Sequence, residues 1–183
     1  MGSMSIKKKE ILVGSHSLSD NIILTGFMGC GKSYFSSELA DALSLDLFDT
    51  DALIEAKVHM AIKEIFLSHD EAYFRSLESD IAIQIQRSTT PAVYATGGGF
   101  PIHYEDILDI GKVFYMDIPF ETILERMNDD ERDKRPLFQD VDKAKALYDS
   151  RLEIYKKRSH YHIDATQSIT AMISFVKEKL NID

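Results

Sequence analysis

The chain has 183 residues, of which 44% are hydrophobic and 28% charged, and a formal net charge of −9. That length suits one compact domain with a substantial core, and the balance of apolar and charged residues excludes a disordered chain. The negative charge opposes long-range attraction to a nucleic-acid backbone, and no apolar run approaches the roughly 18 to 20 residues that span a bilayer.

No nucleic-acid or membrane partner is therefore expected, and any anion must be met by a local cluster of donors. The leading MGSMSIKKKE has a second methionine, Met4, and no apolar signal core, so residues 1–3 read as an expression scar. Cys30 is the only cysteine. It cannot form an internal disulfide and fits a reducing cytoplasm. With no repeat and no Pro, Gly or Ser-rich linker, 1–183 reads as a single domain.

In chain order, short apolar runs at 21–26 (NIILTG), 45–50 (LDLFDT), 91–99 (PAVYATGGG), 112–118 (KVFYMDI) and 162–165 (HIDA) read as buried strands. Segments with helical spacing lie between them, at 32–43, 62–87, 120–127, 142–158 and 168–180. Helices that serve as crossovers make the strands parallel, which predicts an α/β fold with a sheet of about five strands.

The first strand runs into GFMGCGKS at 26–33 and then into a helix. This fits G-x-x-x-x-G-K-[ST], the phosphate-binding loop, in the strand-to-helix context that motif requires. Gly26, Gly29 and Gly31 let successive N–H groups turn inward around a phosphate at the positive end of the helix. Lys32 would reach the β- and γ-phosphates, and Ser33 would offer a hydroxyl to Mg²⁺. Cys30 reads as a small packing residue whose N–H belongs to the cradle.

The second strand ends in DTD, and alternation along an extended segment places Asp49 and Asp51 on one side, facing the cleft at the carboxyl end of the sheet. One could sit near Mg²⁺ and the other orient or deprotonate a hydroxyl; the plainer alternative is that Asp51 caps the helical ALIEAKV. Gly97, Gly98 and Gly99 leave the backbone bare for a small polar ligand, or make a tight turn. Arg75, Arg135 and Arg151 carry the forked donors that suit carboxylate or phosphate. The charged NDDERDKRPLFQD at 128–140 lacks apolar periodicity and reads as a loop. His160 and His162 alternate and read as the start of a strand rather than as metal ligands.

Taken together, GFMGCGKS, DTD, YFRSLE, GGG, RPLF and SRLEIYKKRSHYHIDA resemble the shikimate kinase family, in the family's order, from Ile22 to Asp164. The resemblance implies a P-loop fold of the nucleoside-monophosphate-kinase type, with a parallel sheet in order 2-3-1-4-5. It implies ATP and Mg²⁺ as cofactors, shikimate as substrate and an enzyme that phosphorylates the shikimate 3-hydroxyl. A monomer is expected. Gly29, Cys30, Gly31, Lys32, Ser33 and Tyr34 would then hold the nucleotide, Ser33 and Asp49 the metal, and Asp51 the reacting hydroxyl.

Arg75 and Arg151 would clamp the shikimate carboxylate, Glu78 would orient Arg75, and Gly97 to Gly99 would line the ring. Arg135 would reach the transferring phosphate from a lid at 128–140. Arg126 matches the family's adenine-stacking arginine only across an insertion, and 165–168 would neighbour the adenine without an assignable role. Phe100 is bulkier than the family pattern and is expected to alter packing after the glycines. The nearest rivals are a gluconate or nucleoside-monophosphate kinase on the same scaffold, and a non-catalytic nucleotide switch.

Overall fold

The computed structural model describes residues 10–13, 16–127 and 135–182. Residues 1–3 and most of the segment expected to form a lid, 128–134, lie outside them. A short antiparallel hairpin of β1 (Ile11–Val13) and β2 (His16–Leu18) precedes the main sheet, with Ile11 opposite Leu18. No expectation from the sequence covers this pair, whose strands ILV and HSL lie ahead of the first expected run at 21–26.

The main sheet has five parallel strands: β3 (Ile22–Thr25), β4 (Leu47–Asp49), β5 (Val93–Ala95), β6 (Lys112–Asp117) and β7 (Tyr161–Asp164). They lie in the order β4-β5-β3-β6-β7. Counted within this sheet alone, that is 2-3-1-4-5. Ile22 faces Val93 on one side and Lys112 on the other, which puts β3 at the centre. Its four residues are all buried, with Ile22 and Leu24 in one apolar layer and Ile23 in the opposite one. Burial of each such side chain contributes about 1.5–3 kcal/mol.

Helix α1 (Lys32–Leu43) buries Phe35, Leu39 and Leu43, one turn apart, against the first layer. Across the sheet lie α2 (Thr50–Val58), α3 (Ile62–Ser68) and α4 (Glu71–Arg87). The continuous helix expected over 62–87 is therefore two. His69 adopts an extended backbone, and the Asp70 carboxylate accepts from the Tyr73 N–H at 2.9 Å to start α4. The SHD triplet held that signal, since an aspartate before a helical stripe satisfies an otherwise orphaned amide.

The chain continues through α5 (Phe100–His103), a 3₁₀ turn at Glu105–Asp109, α6 (Phe120–Arg126), a 3₁₀ turn at Pro136–Gln139, α7 (Val141–Lys157) and α8 (Ile169–Leu180). Among the described residues no helix is long and apolar enough to cross a membrane. Phe100 does not stand in the glycine loop as a bulky intruder: it is wholly buried in the layer that holds Ile23 and Phe74.

Candidate active site

The phosphate cradle follows directly from its glycines. Gly29 and Gly31 adopt φ of 84° and 89°, a region that side-chain-bearing residues avoid. At Gly31 that is the whole reason for glycine, since a Cβ there would meet nothing within 4 Å. At Gly29 a Cβ would also press on Ile123 and Met127 at 2.9 Å. Gly31 caps α1 without any side-chain acceptor, and the first turn of α1 holds no acidic residue. The positive end of a twelve-residue helix is thus left for an external anion.

Lys32 Nζ folds back to donate to the Gly26 carbonyl at 3.4 Å, above the loop. Cys30 is 1% exposed, its Sγ pressed beneath Gly26 where a Cβ would come within 3.0 Å, so the thiol packs.

A cleft of about 430 Å³ opens on this loop and brings Lys32, Ser33, Asp49, Asp51, Gly97 and Arg135 onto its walls. Asp49 and Asp51 share it for a different reason than strand alternation. The strand stops at Asp49, and Asp51 sits in the first turn of α2. The capping carboxylate is Asp49, not Asp51: Asp49 Oδ1 accepts from the N–H of Asp51 at 2.8 Å and of Ala52 at 3.2 Å. Asp51 is thereby left to face the cleft. Burial pushes its carboxyl up from the ordinary range, the neighbouring Asp49 adds to this, and Lys32 and Arg75 oppose it.

The glycine turn after β5 is bare because two side chains press on it. A Cβ on Gly97 would lie 2.7 Å from Asp51 Oδ1, and one on Gly99 would lie 2.9 Å from Arg75 Nη1. The Gly97 N–H donates to Thr50 Oγ1 at 3.1 Å, tying the turn to the start of α2.

Arg75 projects from α4 with both edges of its guanidinium engaged. Nη1 donates to Glu78 Oε2 at 2.8 Å, while Nε and Nη2 donate to Glu71 Oε1 at 3.1 and 2.7 Å. Glu78 is 2% exposed, in the middle of the apolar stripe of α4, where burial pushes its carboxyl up and Arg75 pulls it down. A charge in that stripe serves the arginine, not the core. Arg151, from α7, reaches the Gly98 carbonyl at 3.4 Å. Gly99, Arg75 and Arg151 lie past the end of the cleft wall and join it through these contacts.

At the other end Arg135 lines the cleft beside Gly29. Its position is set by Phe138 in the following 3₁₀ turn, which packs edge-on to Phe27 of the phosphate loop at 6.2 Å and stacks on Phe120 at 6.3 Å. Beyond the loop, a second recess of about 290 Å³, lined by Tyr34, Phe35, Arg126, Gln167 and Met172, offers an apolar slot for a base. Arg126 Nη1 donates to the Ala165 carbonyl at 2.8 Å, which places it beside residues 165–168.

The residues that sequence reasoning passed over are Thr50, Glu71, Phe138, Tyr155 and Gln167. Thr50, Phe138 and Tyr155 stood inside the quoted motifs DTD, RPLF and SRLEIYKKRSHYHIDA without a role of their own, and Gln167 lay in the 165–168 stretch expected beside the adenine. His160 Nδ1 accepts from the Val113 N–H at 3.0 Å and His162 Nε2 lies 3.2 Å from the Lys156 carbonyl, so both serve the edge of the sheet.

A phosphate cradle that opens onto a separate acidic wall has somewhere to send a phosphoryl group. On this strand order, that defines a P-loop kinase of small molecules. The family model described as shikimate kinase matches residues 28–181. A shikimate kinase of Helicobacter hepaticus is 45% identical over 149 residues, 81% of this chain and 89% of that protein. One of Clostridium botulinum is 37% identical over 163 residues, 86% and 95% of the two chains. The solved structure of shikimate kinase from Acinetobacter baumannii in complex with shikimate superposes with a TM-score of 0.75 at 30% identity, over 88% of this chain and 93% of that one. The chain belongs to the shikimate kinase family.

Proposed function

We propose that this cleft performs the family's reaction with the side chains described above: the γ-phosphoryl group of ATP passes to the 3-hydroxyl of shikimate, giving shikimate 3-phosphate for aromatic amino-acid synthesis by way of chorismate. The observation that carries the reading is the convergence of Lys32, Ser33, Asp49, Asp51 and Arg135 on one cleft, with the Asp51 carboxylate wedged against Gly97.

The residues present fit the nucleotide and its metal. The uncapped start of α1 suits phosphate, Ser33 and Asp49 supply the hard oxygen ligands that Mg²⁺ takes alongside phosphate oxygens, and the Arg126 recess suits adenine. When bound, ATP supplies the phosphoryl group and Mg²⁺ screens its charge.

Everything else falls to the chain. Lys32 and the loop N–H groups grip the phosphates, and Tyr34, 63% exposed, flanks them. Asp51 accepts a hydrogen bond from the attacking hydroxyl and aligns it. Arg135, anchored through Phe138, meets the charge that develops on the transferring group. Arg75 and Arg151 take the carboxylate of the acceptor, and Gly97 to Gly99 leave room for its ring. Of the expected lid at 128–140, the described part is the Arg135 to Asp140 end. In this reading the lid excludes water from the phosphate.

In this reading the protein acts as a monomer in the cytoplasm, without nucleic-acid or membrane partners; the net charge of −9 opposes a nucleic-acid partner, and the buried lone thiol fits a reducing compartment. The test is a coupled assay of ADP release. Rapid turnover is expected with shikimate and at most background with gluconate, and the reverse order would overturn the assignment. Elution at twice the monomer mass would overturn the monomer.

A further inference from the structure

Tyr155 lies four residues beyond Arg151 on α7, so both side chains leave the same face of the helix. The two meet at one atom. The Tyr155 hydroxyl donates to the Gly98 carbonyl oxygen at 2.6 Å, and Arg151 Nη1 approaches the same oxygen at 3.4 Å. The tyrosine ring is wholly buried and stacked on Tyr115, with centroids 5.2 Å apart and planes 11° from parallel. It has no room to turn away. Burial also pushes its hydroxyl up to about 12, which keeps it a donor across the working pH range.

We propose that Tyr155 is a positioning residue for the acceptor site: its hydroxyl keeps the Gly98 carbonyl satisfied, so that Arg151 is free to leave that oxygen for the carboxylate of the substrate. The proposal rests on the reading that Arg151 binds that carboxylate. A carbonyl oxygen has two lone pairs and accepts both donors at once. When Arg151 moves to a ligand, the shorter bond from Tyr155 remains and the half-buried Gly98 carbonyl keeps a donor.

The same bond fixes a second group. Every described peptide is trans, so the Gly99 N–H points away from the Gly98 carbonyl that Tyr155 holds. Gly99 is the glycine against which Arg75 packs. One buried hydroxyl therefore sets the direction of an amide beside Arg75 and lowers the cost of moving Arg151.

The test compares Tyr155→Phe with Tyr148→Phe, each alone, and Tyr155→Phe with Arg151→Ala, alone and combined. Tyr148 is the matched control, a buried tyrosine whose hydroxyl donates to the Ile118 carbonyl at 2.7 Å, away from the glycine turn. Tyr155→Phe is expected to raise the KM for shikimate roughly five- to tenfold with the KM for ATP within about twofold. Tyr148→Phe is expected to leave both within about twofold while lowering the melting temperature by a similar amount.

In the Arg151→Ala background, Tyr155→Phe is expected to add less than about twofold, because the two act on one oxygen. An unchanged shikimate KM in Tyr155→Phe, an equal rise for ATP, or the same split in Tyr148→Phe overturns the proposal. If Arg151→Ala alone leaves the shikimate KM unchanged, the acceptor-site reading fails and takes the proposal with it. A large effect of Arg151→Ala beside none of Tyr155→Phe sinks the proposal alone.

Discussion

Asp51 Oδ1 stands 2.7 Å from the point that a Cβ on Gly97 would occupy. The two residues are 46 positions apart in sequence and belong to different strand-to-helix connections, yet each defines what the other must be. A side chain at Gly97 and a cleft-facing carboxylate at Asp51 cannot coexist without movement, because no real Cβ sits that close to an oxygen.

Gly97→Ala is therefore expected to push the Asp51 carboxylate aside and lower kcat by at least about tenfold, since small displacements of an aligning group are costly. The backbone of Gly97 needs no left-handed angle, so the fold persists. A variant with normal kcat and an unmoved carboxylate in its crystal structure would show that the contact carries no functional weight.

Asp51→Asn is expected to lose turnover and gain stability in magnesium-free buffer. The sign follows from its raised pKa. A carboxyl that is harder to ionise folded than unfolded favours the native state while protonated, and that contribution is lost as pH rises from the unfolded pKa through the folded one. At neutral pH the ionised group is a liability, which the amide removes. A rise in melting temperature of about 2–4 °C, the equivalent of about 1 kcal/mol in a domain of this size, is the expected readout by calorimetry. The gain should vanish below about pH 3, and a lower melting temperature at pH 7 would contradict the argument.

Glu78→Gln is expected to act on Arg75 rather than on the core. It keeps the shape of the side chain and withdraws the charge that Arg75 Nη1 meets at 2.8 Å. Removing a buried charged partner costs about 1–3 kcal/mol of stability, measurable by urea titration. The KM for shikimate should rise with that for ATP within a few-fold, matching a milder form of Arg75→Ala. Equal loss of both affinities in Arg75→Ala, measured by calorimetry, would contradict the division of the site into acceptor and nucleotide halves.

Lys32→Ala is expected to reduce kcat by at least about 100-fold with little change in unfolding free energy, because the hydrogen bond that half-buried Lys32 gives the protein, to the Gly26 carbonyl at 3.4 Å, is long and weak. Near-normal turnover would falsify the role given to it.

Phe138→Ala should cost about 3–5 kcal/mol, the usual range for emptying an aromatic core site. It also frees Arg135 from the phosphate loop, so kcat should fall even at temperatures where the variant is fully folded. Intact kcat under those conditions would mean that Arg135 needs no anchor.

The central strands were legible because they are buried on both faces: β3 places Ile22 and Leu24 in one layer and Ile23 in the other, and a short unbroken apolar run records that locally. The strand expected over 45–50 is present as β4 but is not buried: Leu47, Phe48 and Asp49 are all exposed at the edge of the sheet. The 62–87 stretch was misread as one helix because apolar spacing continues across the break, while the break rests on one capping bond from Asp70. At DTD the expected carboxylates do share the cleft, but through helix capping by Asp49 and not through a continued strand. Spacing in sequence does not distinguish those two local geometries.

The phosphate cradle was written in the sequence by itself, because its glycines, its lysine and its serine are contiguous, and the physics that shapes them acts over a single turn. The remainder was decided only in three dimensions: which glycine yields to Asp51 and which to Arg75, that Glu78 is spent on an arginine, and that Tyr155 and Arg151 share one oxygen. Those meetings join residues tens of positions apart, and they depend on strand order and helix direction. Loop closure and packing across the whole sheet set both, and no local pattern of residues records them.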